Sequence, residues 1–351
     1  MAYSSITKPG DYFNTVLYTG NATDDRTVTG VGFQPDWLWI KNRTDTEQHR
    51  LQDAVRGATK NIKSSGNGVE ETTSNTVKSF DSDGFTLGVD NAINGNSDSM
   101  VSWNWKANGQ GSSNTSGTIN STYTSANTTA GFSIVSYTGT GSTGTIGHGL
   151  GVKPQVIIVK NLEATENWMV YHEKLDATAP EDYYILLNGA AVRVNEATTW
   201  NDTAPTASLF TVGSHDATNK SGDNHIAYCF VGIRGYSKFG SYIGNGNADG
   251  PFIYTGFKPA WVMIKANDSE NWIIFDNKRP GYNLTDALLK PNLSNAESTS
   301  GVKFDMFGNG FKVKVNDAEG NGNGNTYYYF AFAENPFVGN DSGTAVPVTA
   351  R

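Results

Sequence analysis

The sequence predicts an all-β protein: three tandem antiparallel β-sandwich, jelly-roll-like repeats. Three observations carry this expectation. One motif recurs, as GFQPDWLWIKN at 32–42, GVKPQVIIVKN at 151–161 and GFKPAWVMIKA at 256–266. Its prolines, Pro35, Pro154 and Pro259, lie 119 and 105 residues apart, and each apolar run ends on a lysine, Lys41, Lys160 or Lys265. A Tyr-Xaa-Gly stands seventeen residues before each proline, at Tyr18, Tyr137 and Tyr242. A fixed period of this kind is the signature of a repeat architecture. Turn residues also punctuate short apolar runs roughly every 8–12 residues, as in a sandwich or barrel. Helix signals are poor: only NLTDALLK, 283–290, joins a cap residue, Asn283, to an i, i+4 apolar pair. Finally, charged residues are only 17% while aromatics are 12% and Gly numbers 39. Short aromatic-cored strands joined by Gly/Asn/Ser loops give that balance, and a disordered chain does not.

In chain order, residues 1–14 form a polar N-terminal arm. The first repeat, 15–108, opens with TVLYTG. VTGVGF and DWLWIKN follow as strands, and HRLQDAVRG fits either a strand or one short helix. FDSDGFTLG and MVSWNWKA close the unit. Residues 109–130 are almost wholly Gly, Ser, Thr and Asn, a linker composition, with GTINSTY as its one strand-like stretch. The second repeat, 131–235, and the third, 236–338, present the same landmarks in the same order, and 339–351 is a polar C-terminal tail. An aromatic pair at alternate positions closes each unit: Trp103 and Trp105, Tyr228 and Phe230, Phe330 and Phe332. In a strand both members of such a pair face one side. The units are expected either to pack around a pseudo-threefold axis or to lie in a line.

Net charge of −8 and a pI near 5.1 give no basic stripe for nucleic acid. No apolar run approaches the roughly 20 residues of a membrane helix, so no membrane insertion is expected. MAYSSITKPGDYF lacks the apolar core of a secretory signal. The lone cysteine, Cys229 in IAYCFVG, is expected to be a small buried hydrophobe.

Candidate chemistry is sparse. His148 in IGHGLG suggests a tight turn with an exposed imidazole, without a nucleophile pattern around it. Asp81-Ser82-Asp83-Gly84 starts like a calcium loop, but Ile93 stands where the bidentate Glu belongs. Asp176, Glu181, Asp182, Asp202 and Asp276 supply carboxylates, yet no spacing selects a glycosidase pair. No metal or cofactor is expected, and a repeated fold without a singular constellation argues against an enzyme. Seven tryptophans lie inside strand patterns and are expected in the core. Trp200, in the polar EATTWNDTAP, and Tyr282, in KRPGYN, are the two aromatics placed to grip a glycan or a neighbouring subunit. The repeated Pro/Lys motif reads as scaffold, its lysine marking where the strand re-emerges into water.

MAYSSITKPGDYFNTVLYTGN, GFQPDWLWIKNR, DAVRGATK, WNWKANG and IAYCFVGIRGYSKFGSYIGNGNADGPFIYTGFKPAWVMIK, among other stretches over residues 1–338, resemble a group of marine tailed-phage proteins. That group is labelled tail fibre, tail-fibre-like or virion structural protein. The resemblance implies a non-enzymatic component of the virion surface, assembled in the host bacterial cytoplasm and used in host attachment. Its implied partners are other virion proteins of tail or capsid and a host cell-surface glycan or protein. It transfers no catalytic or binding residue. The chain shows no heptads and no shaft repeat, which raises a compact alternative: a capsid decoration or head-fibre protein that stabilises the shell. A polysaccharide-degrading tailspike is a third, remote reading. A homotrimer is usual for such appendages, and three internal units could equally let one chain imitate one.

Overall fold

The computed structural model describes residues 4–337, and the protein is all-β. The expected tail, 339–351, lies outside the described residues. Three antiparallel sheets, two of four strands and one, in the second unit, of eight, share one order of four strands: opening strand, closing strand, motif strand, fourth strand. In the first unit these are Phe13–Thr19, Ser99–Trp105, Trp37–Asn42 and Arg50–Asp53. In the second they are Phe132–Thr138, Asn224–Phe230, Val156–Asn161 and Met169–His172. In the third they are Ser237–Ile243, Thr326–Pro336, Phe257–Ala266 and Ile273–Asp276.

Alternation along each strand gives every sheet two apolar faces. The outward face packs on a smaller sheet: Arg26–Thr29, Gly84–Leu87 and Val77–Asp81 in the first unit, Gly144–Gly147 and Leu209–Val212 in the second, Phe252–Tyr254, Gly310–Val313 and Phe304–Phe307 in the third. Each of these two-layer packings owns a small core. The inward faces of all three sheets meet in one large aromatic core. The closing pairs sit there: Trp105 lies 5.6 Å from Phe332 and Phe230 lies 6.1 Å from Phe332, while Trp37 stacks on Tyr228 at 4.6 Å.

The same seam is made three times around this core. The residue just before each fourth strand points its ring nitrogen at a carbonyl of another unit. Trp168 donates to the Lys63 oxygen (3.0 Å) and Trp272 to the Leu186 oxygen (2.7 Å), and His49 Nε2 lies 3.1 Å from the Lys290 oxygen. The second unit thus holds the first, the third holds the second, and the first holds the third, which closes a ring. The long connection after each fourth strand donates across the same seams in the opposite sense. Glu70 donates its N–H to the Leu162 oxygen, Arg193 to Asn267 Oδ1 and Glu297 to the Arg43 oxygen. A third set joins closing strands to fourth strands: Tyr228 to Asp53 (2.8 Å), Trp103 to Asp276 (3.0 Å) and Phe330 against His172 (5.4 Å between ring centres).

Three expectations need correction, and one left open is decided. The linker 109–130 is not a plain connector: Ser112–Asn114 and Ser121–Asn127 form strands that extend the second unit's sheet beside Phe132–Thr138. Ser and Thr hydroxyls do there what apolar side chains do elsewhere, as Ser121 and Ser125 accept the N–H groups of Asn114 and Asn108. The described part of the arm, 4–14, is part of the body, since Ile6 is buried in the central core and the opening strand begins at Phe13, stacked on Phe332 at 5.2 Å. Residues 283–290 form no helix; Thr285, Leu288 and Leu289 make isolated β-bridges, because their apolar side chains must face the third unit's cores. HRLQDAVRG resolves to the strand Arg50–Asp53 followed by a turn.

Candidate functional site

The motif lysines are not where the sequence suggested. Lys41, Lys160 and Lys265 are fully buried, because each ammonium turns back on carbonyls of its own chain end. Lys41 donates to the Asn42 (2.5 Å) and Asp45 (3.2 Å) oxygens, and Lys160 to the Asn161 oxygen (2.5 Å). Lys265 donates to the Ala266 (2.6 Å), Asp268 (2.8 Å) and Ala190 (3.0 Å) oxygens. Burial pulls all three down to about 8. Lys265 reaches into the second unit through Ala190, so it is a seam residue as well as a cap. Pro35 and Pro154 precede their motif strands, whereas Pro259 lies inside one, at a register shift against the closing strand. A proline lacks the donor for a regular ladder and is tolerated at such a place.

The Tyr-Xaa-Gly is equally architectural. The hydroxyls of Tyr18, Tyr137 and Tyr242 donate to the Ile93, Thr218 and Gly320 oxygens, at 2.8, 2.6 and 2.7 Å. Those acceptors lie in short helices, Asn91–Asn94, Asp216–Asn219 and Ala318–Asn321. Each helix ends on a buried asparagine, Asn94, Asn219 or Asn321, whose amide clamps the tip after the opening strand. Sequence reasoning missed these three. The signal was present, since each asparagine precedes its closing strand by a few residues, but in a chain this rich in Asn it is drowned.

Trp200, expected in an exposed loop, is 2% exposed. It ends the short helix Ala197–Trp200, packs in the second unit's core and donates to the Tyr183 oxygen at 3.2 Å. The polar residues around it in sequence mislead because the helix turns the indole inward. Tyr282 is 80% exposed and belongs to the third unit, so the two aromatics do not share a surface. His148 is likewise buried: its Nδ1 accepts the Leu150 N–H (3.2 Å) and its Nε2 faces the Thr206 oxygen (3.2 Å). Asp83 of the calcium-like turn accepts the N–H groups of Gly32 (2.6 Å) and Gly30 (3.2 Å).

Of the carboxylates, Asp276 is buried, paired with Arg279 (2.6 Å), and takes the Trp103 N–H. Asp176 is held well below the usual range by the Thr178 and Ala179 N–H groups, the Thr178 hydroxyl and Arg193. Two open cavities of about 550 Å³ remain. One, in the third unit, gathers Glu270, Lys290, Asp317 and Glu319, with Lys290 paired to Glu319. There partial burial and the neighbouring Glu319 raise the Glu270 carboxyl. The other runs between the first and second units past Tyr123, Lys60, Glu163 and Asn224. Cys229 is buried and its thiol is pushed up to about 12 by burial, which fits a packing residue.

Fold and sites together define an all-β scaffold whose repeated polar residues serve its own closure. The chain belongs to a family described as a domain of unknown function, DUF7483, whose model matches residues 8–336. That match spans all three units as one domain. No curated protein matches the chain.

Proposed function

We propose that this is a non-enzymatic virion surface protein, a tail fibre or receptor-binding subunit for host attachment. One observation carries the reading: the repeated polar side chains are spent on the scaffold, while the surfaces turned to solvent differ between units. Lys41, Lys160 and Lys265 cap chain ends, and Tyr18, Tyr137 and Tyr242 fasten helices. A rigid body with three unlike faces suits recognition, since specificity lives on loops and faces held by a stiff scaffold. The motif resemblance to tailed-phage tail-fibre-like proteins supports the virion setting, and the internal three-unit ring supports one chain standing in for a trimer. A decoration protein would expose a large flat apolar patch or lay an ordered N-terminal arm, residues 1–14, on a partner. Residues from Ser4 onward lie instead on the chain's own third unit, with Tyr12 edge-on to Tyr236, which favours attachment.

The test is immunogold labelling of purified phage particles with antibody raised against the full chain, paired with an adsorption assay. Label at the tail and slower adsorption in the presence of excess chain are expected. Particles that carry no label, or label confined to the head with adsorption unchanged, would refute the attachment reading.

A further inference from the structure

The three units provide an internal control for what the scaffold requires at each surface position. In the small outer sheets, Val28, Ile146 and Ile253 are equivalent, each buried opposite a phenylalanine, Phe85, Phe210 or Phe311. Their strand neighbours point the other way. In the first unit these are the exposed Thr27 and Thr29, and in the third the exposed Phe252 and Tyr254; in the second they are Thr145 and Gly147, which the 112–119 segment covers through Thr118 and Asn114. On the next strand but one, the residue paired with the hairpin glycine is Asp81 in the first unit and Phe307 in the third. The third unit thus sets three aromatics where the first unit has Thr27, Thr29 and Asp81. Phe252, Tyr254 and Phe307 are 46%, 49% and 40% exposed, and Phe252 meets Phe307 edge-on at 5.7 Å. The fold does not need them, because the first unit carries polar residues at the same positions.

The charges on this face are as distinctive. Lys238 sits over the Tyr254 ring at 5.4 Å. Lys312 pairs with Asp249 at 2.6 Å, and Lys314 lies 3.9 Å from Asp249 and 3.8 Å from Asp305. Lys303 precedes the strand that carries Phe307. Four lysines against two aspartates make a locally basic face on a chain of net charge −8. The aromatic surface on offer is small: three rings half exposed present on the order of 300 Å². A stable protein partner needs about 800 Å² on each side. A narrow anionic chain that stacks flat on rings and meets ammonium groups fits both the size and the sign.

We infer that the outer sheet of the third unit, through Phe252, Tyr254 and Phe307 with Lys238 and Lys312, binds an acidic polysaccharide. This rests on the attachment reading and names its ligand class. The test is affinity electrophoresis of the full chain in gels containing polygalacturonate, neutral dextran or polyglutamate. Retardation by polygalacturonate is expected to be at least about tenfold stronger than by the other two, and to fall at least about tenfold in Phe252→Thr/Tyr254→Thr/Phe307→Asp. These positions are exposed, so the melting temperature should hold. Should the triple variant unfold, Phe252→Thr alone takes its place. Equal retardation by polyglutamate would reduce the face to bare charge and overturn the inference. So would no retardation by polygalacturonate, an unaffected variant, or a concentration-dependent dimer that the same variant abolishes. Labelled particles without polygalacturonate binding would sink this inference alone; binding by a chain absent from particles would sink the attachment reading alone.

Discussion

Lys160 shows how far a single residue can mislead and then instruct. A lysine ending an apolar run ordinarily snorkels into water, yet here its ammonium is fully buried on the Asn161 oxygen. Position in sequence tells where a strand ends and not which way the chain turns next, so the cap was not legible. The burial has a measurable sign. A lysine whose folded value is about 8, below its unfolded value, disfavours the charged folded state. Stability therefore rises with pH between about 8 and 10 on its account. Lys160→Met should remove that rise, flattening the urea midpoint between pH 8 and 9.5 relative to wild type by on the order of 1 kcal/mol. At pH 7 the variant is expected to lose about 1–3 kcal/mol through orphaned carbonyls. The histidines act at the other end of the scale. Nδ1 of His49, His148 and His172 accepts a hydrogen bond, which requires the neutral ring. Burial lowers all three, His172 to about 3. Their stabilising contribution is present above the unfolded value near 6.5 and is lost as pH falls toward the folded one. His172→Phe should therefore shift the acid-unfolding midpoint downward, read by near-ultraviolet circular dichroism. A midpoint that does not move would show that His172 titrates freely.

At the scale of elements, the opening, motif and closing strands were legible because period and spacing survive divergence of the loops. They lie on stretches that alternation and apolar runs mark, whereas HRLQDAVRG, which holds the first unit's fourth strand, read equally as strand or helix. The hairpin at 112–127 was not legible, because its strands are built from Ser and Thr and resemble a linker by composition. The inward turn of Trp200 was hidden for the related reason that a four-residue helix leaves no period to read. The glycine of the Tyr-Xaa-Gly is a tight point in each unit. A Cβ on Gly139 would lie 2.3 Å from the Lys220 oxygen, and one on Gly20 would lie 1.9 Å from the Gly95 oxygen. Gly139→Ala should cost about 3 kcal/mol in chemical denaturation. Gly68→Ala, where a Cβ meets nothing within 4 Å, should change stability by less than about 0.5 kcal/mol. Equal losses at both positions would contradict the close approach.

At the scale of the molecule, the ring converts three modest two-layer packings into one body. Each seam repeats the same geometry, and the aromatic core belongs to no unit alone. The sequence left a ring and a line equally open, because the contacts that decide between them join residues over a hundred positions apart. Asp276 lies at one such seam, bonded to Trp103 of the first unit and buried with Arg279. Asp276→Asn leaves that guanidinium short of its nearest carboxylate and should cost about 3 kcal/mol, lowering the whole chain's stability and not the third unit's alone. The attachment proposal depends on this rigidity, since unlike faces present a fixed pattern only if the units do not move independently. Differential scanning calorimetry of the full chain tests that most directly. One transition with a calorimetric to van't Hoff enthalpy ratio of about 1 is predicted. Two or three separable transitions, each shifted only by substitutions in its own unit, would contradict a shared core.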